Sequence, residues 1–324
     1  IMKIIICEDP WKSSFYKIDT GLGNRLTYWG LAYSLLLKLG RDWNIGIYKE
    51  QFPELDYIRL PKTLILNREY TKTEYEPIRE EQLKNILDRN DKPSSEIIKL
   101  DVKYNVELLD IKYAISGHFC RITIKDKLFN QQLKEYGQKV NSVHIRRGNG
   151  VYTTIEDIFS IPKKYQKYYS PDINPNFDMN KEKGIWEPCE HLSQGYIFHR
   201  DDKIFKNMDK YPKDAKFYIS TDMPEEAVEY YKERFKNRVY FTSDFISEYN
   251  ISSQKPDSGK YVKTIDELLS IFKKDSLDNR TLINLIDWFI IANSQSILYD
   301  GSSTWSYTAS KVKGTKRISF KDEF

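Results

Sequence analysis

The stretch from Ser142 to Gly150, Ser-Val-His-Ile-Arg-Arg-Gly-Asn-Gly, limits the possible folds more than any other part of the chain. Val143 and Ile145 alternate with His144 and Arg146, the period-two pattern of a strand buried on one face. Gly148, Asn149 and Gly150 then break the strand into a loop that tolerates positive φ. Two guanidiniums are therefore expected at the carboxyl end of a sheet strand, where open α/β folds hold their ligands. Alternation puts His144 and Arg146 on one side and turns Arg147 to the other, so the two arginines should do different jobs. An arginine fixed at such a place suits a phosphate or carboxylate, which it grips with two parallel charge-assisted bonds. Taken alone, the pair reads more simply as an arginine in an ordinary ion pair. Three further stretches change that.

The first is Thr20-Gly21-Leu22-Gly23-Asn24-Arg25-Leu26, which follows a predicted strand at Lys3–Cys7 and opens an apolar segment running to Leu39, where Gly40 ends it. It predicts a buried helix of a βα unit, entered through a glycine loop whose backbone can approach a ligand closely. The third glycine of the dinucleotide fingerprint is missing. The second stretch is a strand at Phe217–Ser220 that ends in Thr221-Asp222-Met223-Pro224, before a helix expected over Glu225–Arg234 with acidic residues in its first turn. Thr221 or Asp222 would cap that helix. A carboxylate at a strand end also suits the N1–H and 2-amino donors of guanine, an edge that needs an acceptor pair. In the third, a strand at Ser296–Asp300 runs into Gly301-Ser302-Ser303-Thr304-Trp305-Ser306 and a last helix up to Lys313. Strand, hydroxyl-rich turn and helix start make a diphosphate seat. A plain serine N-cap explains one hydroxyl, hardly four in five residues.

Composition narrows the partners. With 324 residues, 40 % of them hydrophobic, the chain can form two domains of ordinary size. The 51 basic and 47 acidic residues leave a net charge of +4, too balanced and too dispersed for a nucleic-acid protein. Cys7, Cys120 and Cys189 are isolated, so a disulfide framework is not expected and a reducing compartment is. Cys189, His191 and His199 match no standard zinc spacing. No apolar run approaches the ~18 residues of a membrane span. Met2 fits an initiator with Ile1 as an added residue, no signal peptide is visible, and a cytoplasmic location is expected. No P-loop pattern occurs. Further strands are predicted at Asn44–Tyr48, Tyr104–Ile115, Arg121–Ile124 and Arg238–Ser243. Helices are predicted at Glu80–Leu87, Phe129–Tyr136, Ile265–Phe272 and Leu282–Ala292. The lysines and tyrosines of Lys163–Tyr169 read either as a loop that stacks on sugars or bases or as a solvated flap.

In order, Gly21–Arg25, His144–Gly150, Ser220–Asp222 and Asp300–Ser306 resemble the motifs of the α1,2/α1,6/protein O-fucosyltransferase superfamily. The His-x-Arg-Arg-Gly-Asn-Gly form is most similar to that of the rhizobial nodulation α1,6-fucosyltransferases. These islands span most of the chain; 53–135 and 151–212 do not align by eye. The resemblance implies an α/β GT-B fold of two Rossmann-like domains facing each other across a cleft. These would be an acceptor-side domain over 1–140 and a nucleotide-sugar-binding domain over 141–324 with a loop insertion at 151–212. It implies transfer of fucose from GDP-fucose to a hydroxyl of a glycan acceptor, with inversion and with neither metal nor cofactor. Carried over by position, Arg146 is the catalytic arginine on the β-phosphate. The donor would also meet Gly23, Asn24, Arg25, His144, Arg147, Asp222, Gly301, Ser302, Ser303 and Thr304. Glu156 falls near the place of the proposed base in the core-fucosylating relatives, with offset spacing, and Asp157 lies beside it. The alternatives are the same scaffold with another nucleotide sugar, for example a xylosyltransferase, or a catalytically silent sugar-nucleotide or glycan-binding module. An intact Arg146 and serine turn speak against the silent module.

Overall fold

The computed structural model describes residues 2–8, 22–102, 118–147, 151–170, 177–180, 185–188, 196–251, 279–299 and 303–320. The chain forms two compact units. One comprises Ile1–Leu133, Asp266–Trp288 and Thr304–Gly314, and the other Lys134–Ile265, Phe289–Ser303 and Thr315–Phe324. The expected division into two continuous halves at 140/141 is therefore corrected: two late segments return to the first unit. The reason is visible at Gly23, as described below.

The first unit is built on a five-stranded parallel sheet. Its order is Thr63–Leu66, Trp43–Tyr48, Lys3–Ile6, Ile97–Leu100, Glu76–Ile78. Ile5, Ile45 and Ile98 are fully buried in its middle. The helix Leu22–Leu39 follows the first strand. It is apolar nearly all round, and Trp29, Ala32 and Leu35 have no exposed surface, as expected of a helix enclosed on several sides. Its Trp29 indole N–H donates to Thr63 Oγ1 at 3.1 Å, tying the helix to an edge strand.

The second unit carries another five-stranded parallel sheet. Its order is Val239–Tyr240, Phe217–Thr221, Asn141–Ile145, Ser296–Tyr299, Lys316–Ser319. Numbered along the chain from Asn141, this is the 3-2-1-4-5 order of a doubly wound nucleotide-binding sheet. Ser142, Tyr218 and Ile297 lie side by side in register, as do Val143, Ile219 and Leu298. The second row faces a large apolar core with Ile145, Phe217 and Ile318. Each unit is Rossmann-like, a five-stranded parallel sheet with helical connections.

Between the first two strands of this sheet the chain forms a small separate sheet. There Val151–Thr154 pairs with Ile185–Pro188 and Tyr196–Ile197, and Phe177–Asn180 extends it. Other differences from expectation are local. The strand predicted over Arg238–Ser243 stops at Tyr240, and a helix runs from Thr242 to Ile251. The Asp244 carboxylate draws the Phe241 amide at 2.7 Å and starts that helix. The helix expected over Glu225–Arg234 divides into a 3₁₀ turn, Glu225–Val228, and a helix, Tyr230–Phe235. The strand predicted at Tyr104–Ile115 and the helix predicted at Ile265–Phe272 lie outside the described residues.

Candidate functional site

In a sheet of order 3-2-1-4-5 the connections leave the first and fourth strands in opposite directions, and the crevice between their carboxyl ends takes the ligand. Here those strands are Asn141–Ile145 and Ser296–Tyr299. His144 lies at the end of the first, nearly buried, and the half-buried Arg146 follows directly after it. On one side Ser220 is the register partner of His144 and Thr221 that of Ile145, so Asp222 lies at the same edge as Arg146. On the other side the chain leaves Tyr299 for Ser303, itself 3 % exposed. Thus His144, Arg146, Asp222 and Ser303 all belong to the carboxyl edge of one sheet. Gly301 and Ser302 lie outside the described residues.

Arg147 is placed otherwise, and its assignment to the nucleotide is corrected. Its side chain has no exposed surface. One Nη donates to the Tyr230 hydroxyl at 2.8 Å and at 3.4 Å to that of Tyr169. The other donates to the His199 carbonyl at 2.8 Å and to Asp201 Oδ1 at 2.5 Å. The Phe198 ring packs on the guanidinium at 4.6 Å. Asp201 in turn accepts from the Tyr230 and Tyr231 hydroxyls at 2.5 and 2.6 Å. Burial pushes the pKa values of both tyrosines up, and the Asp201 charge adds to the rise. Burial opposes the Arg147 charge, yet Asp201 holds its pKa well above the ordinary value. This is a compensated buried ion pair; without its partners either charge would be costly. Alternation explains the outcome: the residue after Arg146 turns toward the apolar core and takes its charge inside.

The backbone of Arg147 does a second job. Its N–H donates to Asp222 Oδ1 at 2.7 Å, so the exposed Asp222 ties the ends of two neighbouring strands together. Asp222 does not cap the following turn through this bond. Thr221 helps there, its Oγ1 accepting the Met223 amide at 3.1 Å.

Glu156 is exposed in the first turn of a short helix, Ile155–Phe159. Its neighbour Asp157 closes a capping box with Thr154, accepting from that residue's amide at 3.1 Å and hydroxyl at 2.9 Å. Asp157 is thus engaged locally, whereas Glu156 faces solvent.

The remaining predicted contacts belong to the first unit. A Cβ on Gly23 would stand 2.7 Å from the Trp305 amide nitrogen and 2.8 Å from the Thr304 carbonyl carbon. The glycine therefore serves the close approach of the helix Thr304–Ser310, where the sequence suggested the approach of a ligand. Asn24 Oδ1 accepts the Thr304 hydroxyl at 2.7 Å, and Trp288 Nε1 donates to Thr308 Oγ1 at 3.0 Å from a third segment. Arg25 is ion-paired with the buried Glu54 and lies over the Phe52 ring at 5.7 Å. Gly23, Asn24, Arg25 and Thr304 are thereby built into the packing of their own unit.

Asp201, Tyr230 and Tyr231 carry no site signal in the sequence, and Tyr169, read there as part of a stacking loop or solvated flap, is instead buried against Arg147. No local pattern marks this cluster, because Arg147, Tyr169, Asp201, Tyr230 and Tyr231 come from four separate segments that meet only in the folded core. Cys189 and His191 lie outside the described residues. His199 is buried, and its carbonyl serves Arg147. Among the described residues no group of three His, Cys, Asp or Glu side chains is arranged to hold a metal, and no helix is long and apolar enough to cross a membrane.

No family model matches the sequence, and no curated protein matches it. Among solved structures the chain resembles the fucosyltransferase NodZ from Bradyrhizobium, with 12 % identity over 95 % of this chain and 91 % of that one, at a TM-score of 0.48. A variant of Arabidopsis thaliana FUT1 in complex with GDP shares 9 % identity over 98 % of this chain and 70 % of that one, at 0.43. POFUT1 in complex with GDP-fucose shares 7 % over 99 % and 98 %, at 0.45. At such low identity the chemistry of the site rests on the residues of this chain.

Proposed function

We propose that this protein is a glycosyltransferase that moves fucose from GDP-fucose to a hydroxyl of a glycan acceptor, with inversion and without a metal. The observation that carries the reading is Arg146 beside the crossover point of a 3-2-1-4-5 parallel sheet, on the polar side of the strand that also bears His144. The motif resemblance of His144–Gly150 and Asp300–Ser306 supports GDP-fucose as the donor within that class of site.

Cleavage of the C1–O bond of a nucleotide sugar leaves positive character on the ring and negative charge on the departing phosphate oxygen. A guanidinium fixed where that charge appears stabilises the transition state more than the ground state, typically worth 10²–10³ in rate. Arg146 takes this part, with His144 beside it on the nucleotide. Asp222 offers acceptor oxygens to the donor edge of guanine. The acceptor hydroxyl forms the new bond to C1 from the opposite face and gives up its proton to a carboxylate. Glu156, exposed and uncommitted to the capping box beside it, is the candidate for that step.

Calorimetric titration with GDP, UDP and GDP-fucose in EDTA, with Arg146→Ala as control, tests the reading. Preferential GDP binding that the variant loses supports it. Tighter UDP binding replaces the donor, and absence of all binding overturns the enzyme reading in favour of a glycan-binding module.

A further inference from the structure

The second cation of the site is not the one that sequence adjacency suggests. With Arg147 enclosed in the core, Arg146 would be left to meet a diphosphate carrying up to three negative charges.

The edge strand Lys316–Ser319 supplies another arginine. Arg317 pairs in register with Ile297, and Ile297 pairs with Ser142. Those residues share one face of the sheet, and period two adds Tyr299 and His144 to it. This is the face opposite the apolar core that contains Val143, Leu298 and Ile318. The Arg317 guanidinium does not remain level with its own Cα. It lies over the Tyr299 ring with its carbon 3.8 Å from the centroid, the shortest such contact among the described residues. Tyr299 is two residues farther along the neighbouring strand than Ile297, a shift of roughly 7 Å toward the carboxyl edge. Tyr299 thus carries the charge forward to the end of the sheet where His144 and Arg146 stand. Arg317 and Tyr299 are both only half-buried.

We infer that Arg317, held on Tyr299, is the second phosphate-binding arginine of the nucleotide site. This rests on the nucleotide-sugar reading above. The strands that carry Arg146 and Arg317 are two strand spacings apart, about 10 Å between backbones. Two arginine side chains reaching forward from that base can hold the oxygens of one diphosphate between them. Stacking on an aromatic ring keeps the guanidinium planar and oriented while its N–H groups at the rim still donate. A lysine in its place would retain the charge but neither the fork nor the stack.

Binding of GDP, GMP and guanosine to the full chain tests this by calorimetry. Arg317→Gln should weaken GDP about tenfold or more, the range for a charged hydrogen bond. GMP should weaken less, and guanosine should be unchanged. Tyr299→Leu should move GDP in the same direction, while Tyr299→Phe, which preserves the stack, should restore it. Arg317→Lys, the variant safer for folding, should fall between wild type and Gln. Unaltered GDP affinity in Arg317→Gln overturns the inference, as does an equal loss for all three probes. A wild-type protein that binds none of the three refutes the nucleotide reading itself, an outcome distinct from a wild type that binds GDP and an Arg317 variant that binds it equally well.

Discussion

Asp222 Oδ1 accepts the backbone N–H of Arg147 at 2.7 Å. One carboxylate thereby sets the distance between two strand ends at the edge where a ligand would sit. Asp222→Asn keeps an oxygen for that amide, so thermal stability should stay close to wild type. If the carboxylate also reads guanine, the same variant should lose GDP affinity by roughly tenfold to a hundredfold, with no corresponding change in whatever binding ADP shows. Asp222→Ala should lose both, because the strand-end tie goes as well. Melting curves and titrations with the two nucleotides separate these roles.

The Arg147–Asp201 pair predicts a large stability effect. Asp201→Ala would leave the guanidinium and two tyrosine hydroxyls buried without their acceptor, and breaking such a pair costs about 3–5 kcal/mol. Urea unfolding should show the loss in the midpoint. Alkali should act on the same cluster. Tyr230 and Tyr231 have folded-state pKa values above the ordinary 10.0 of an exposed tyrosine. The folded protein therefore holds more protons than the unfolded chain above that pH. Stability contributed by these groups is complete below about pH 10 and falls as pH rises beyond it. Tyr231→Phe should flatten that alkaline limb, read by unfolding at a series of pH values from 8 to 11 in about half-unit steps.

How much of this could be read from the sequence depended on how local each signal was. The strand at Asn141–Ile145 declares itself by alternation, and the helix Leu22–Leu39 by its length and apolar content. The edge strand Glu76–Ile78 does not: it is three residues long and contains Pro77, tolerated because the strand has one neighbour. Thr242 and Ser243 read as the end of a strand because the bond from the Phe241 amide to Asp244, which turns the chain into a helix, has no signature in the alternation. Alternation turned Arg147 away from the side of Arg146, but it did not show where Arg147 would go, because its partners lie 22 to 83 residues away. Arg317 is silent in the sequence for the same reason. Its strand is short, and its meaning comes from Tyr299, which only the sheet brings beside it. Residues assigned to a ligand at Gly23–Arg25 turned out to be shared with packing, since a glycine that admits a helix and one that admits a phosphate look alike in a sequence.

Gly23→Ala should test that packing. The added methyl would press on backbone atoms of Thr304 and Trp305, which cannot turn aside as a side-chain tip can. Overpacking of this kind costs about 1–3 kcal/mol. The expected result is a lower melting temperature, with GDP affinity following only to the extent that Ser303 is displaced. Asn24→Ala, which removes the acceptor of the Thr304 hydroxyl, should cost about 0.5–1.5 kcal/mol. A melting temperature unchanged in Gly23→Ala would show that the two helices part without penalty.

Glu156 is where the proposed chemistry is most exposed to test. It stands in the first turn of the Ile155–Phe159 helix, and the helix is closed by Thr154 and Asp157 without its help. Substitution should therefore leave the fold intact. If its carboxylate takes the acceptor proton, Glu156→Gln should lower kcat by about 10²–10⁴ while GDP affinity is kept. Hydrolysis of GDP-fucose by water in the absence of acceptor should fall less, because it depends on Arg146 more than on the base. Asp157→Asn should act differently, lowering stability through the cap with a modest effect on rate. A Glu156→Gln enzyme with wild-type kcat would move the proton transfer to another group and leave Arg146 as the catalytic centre of the proposal.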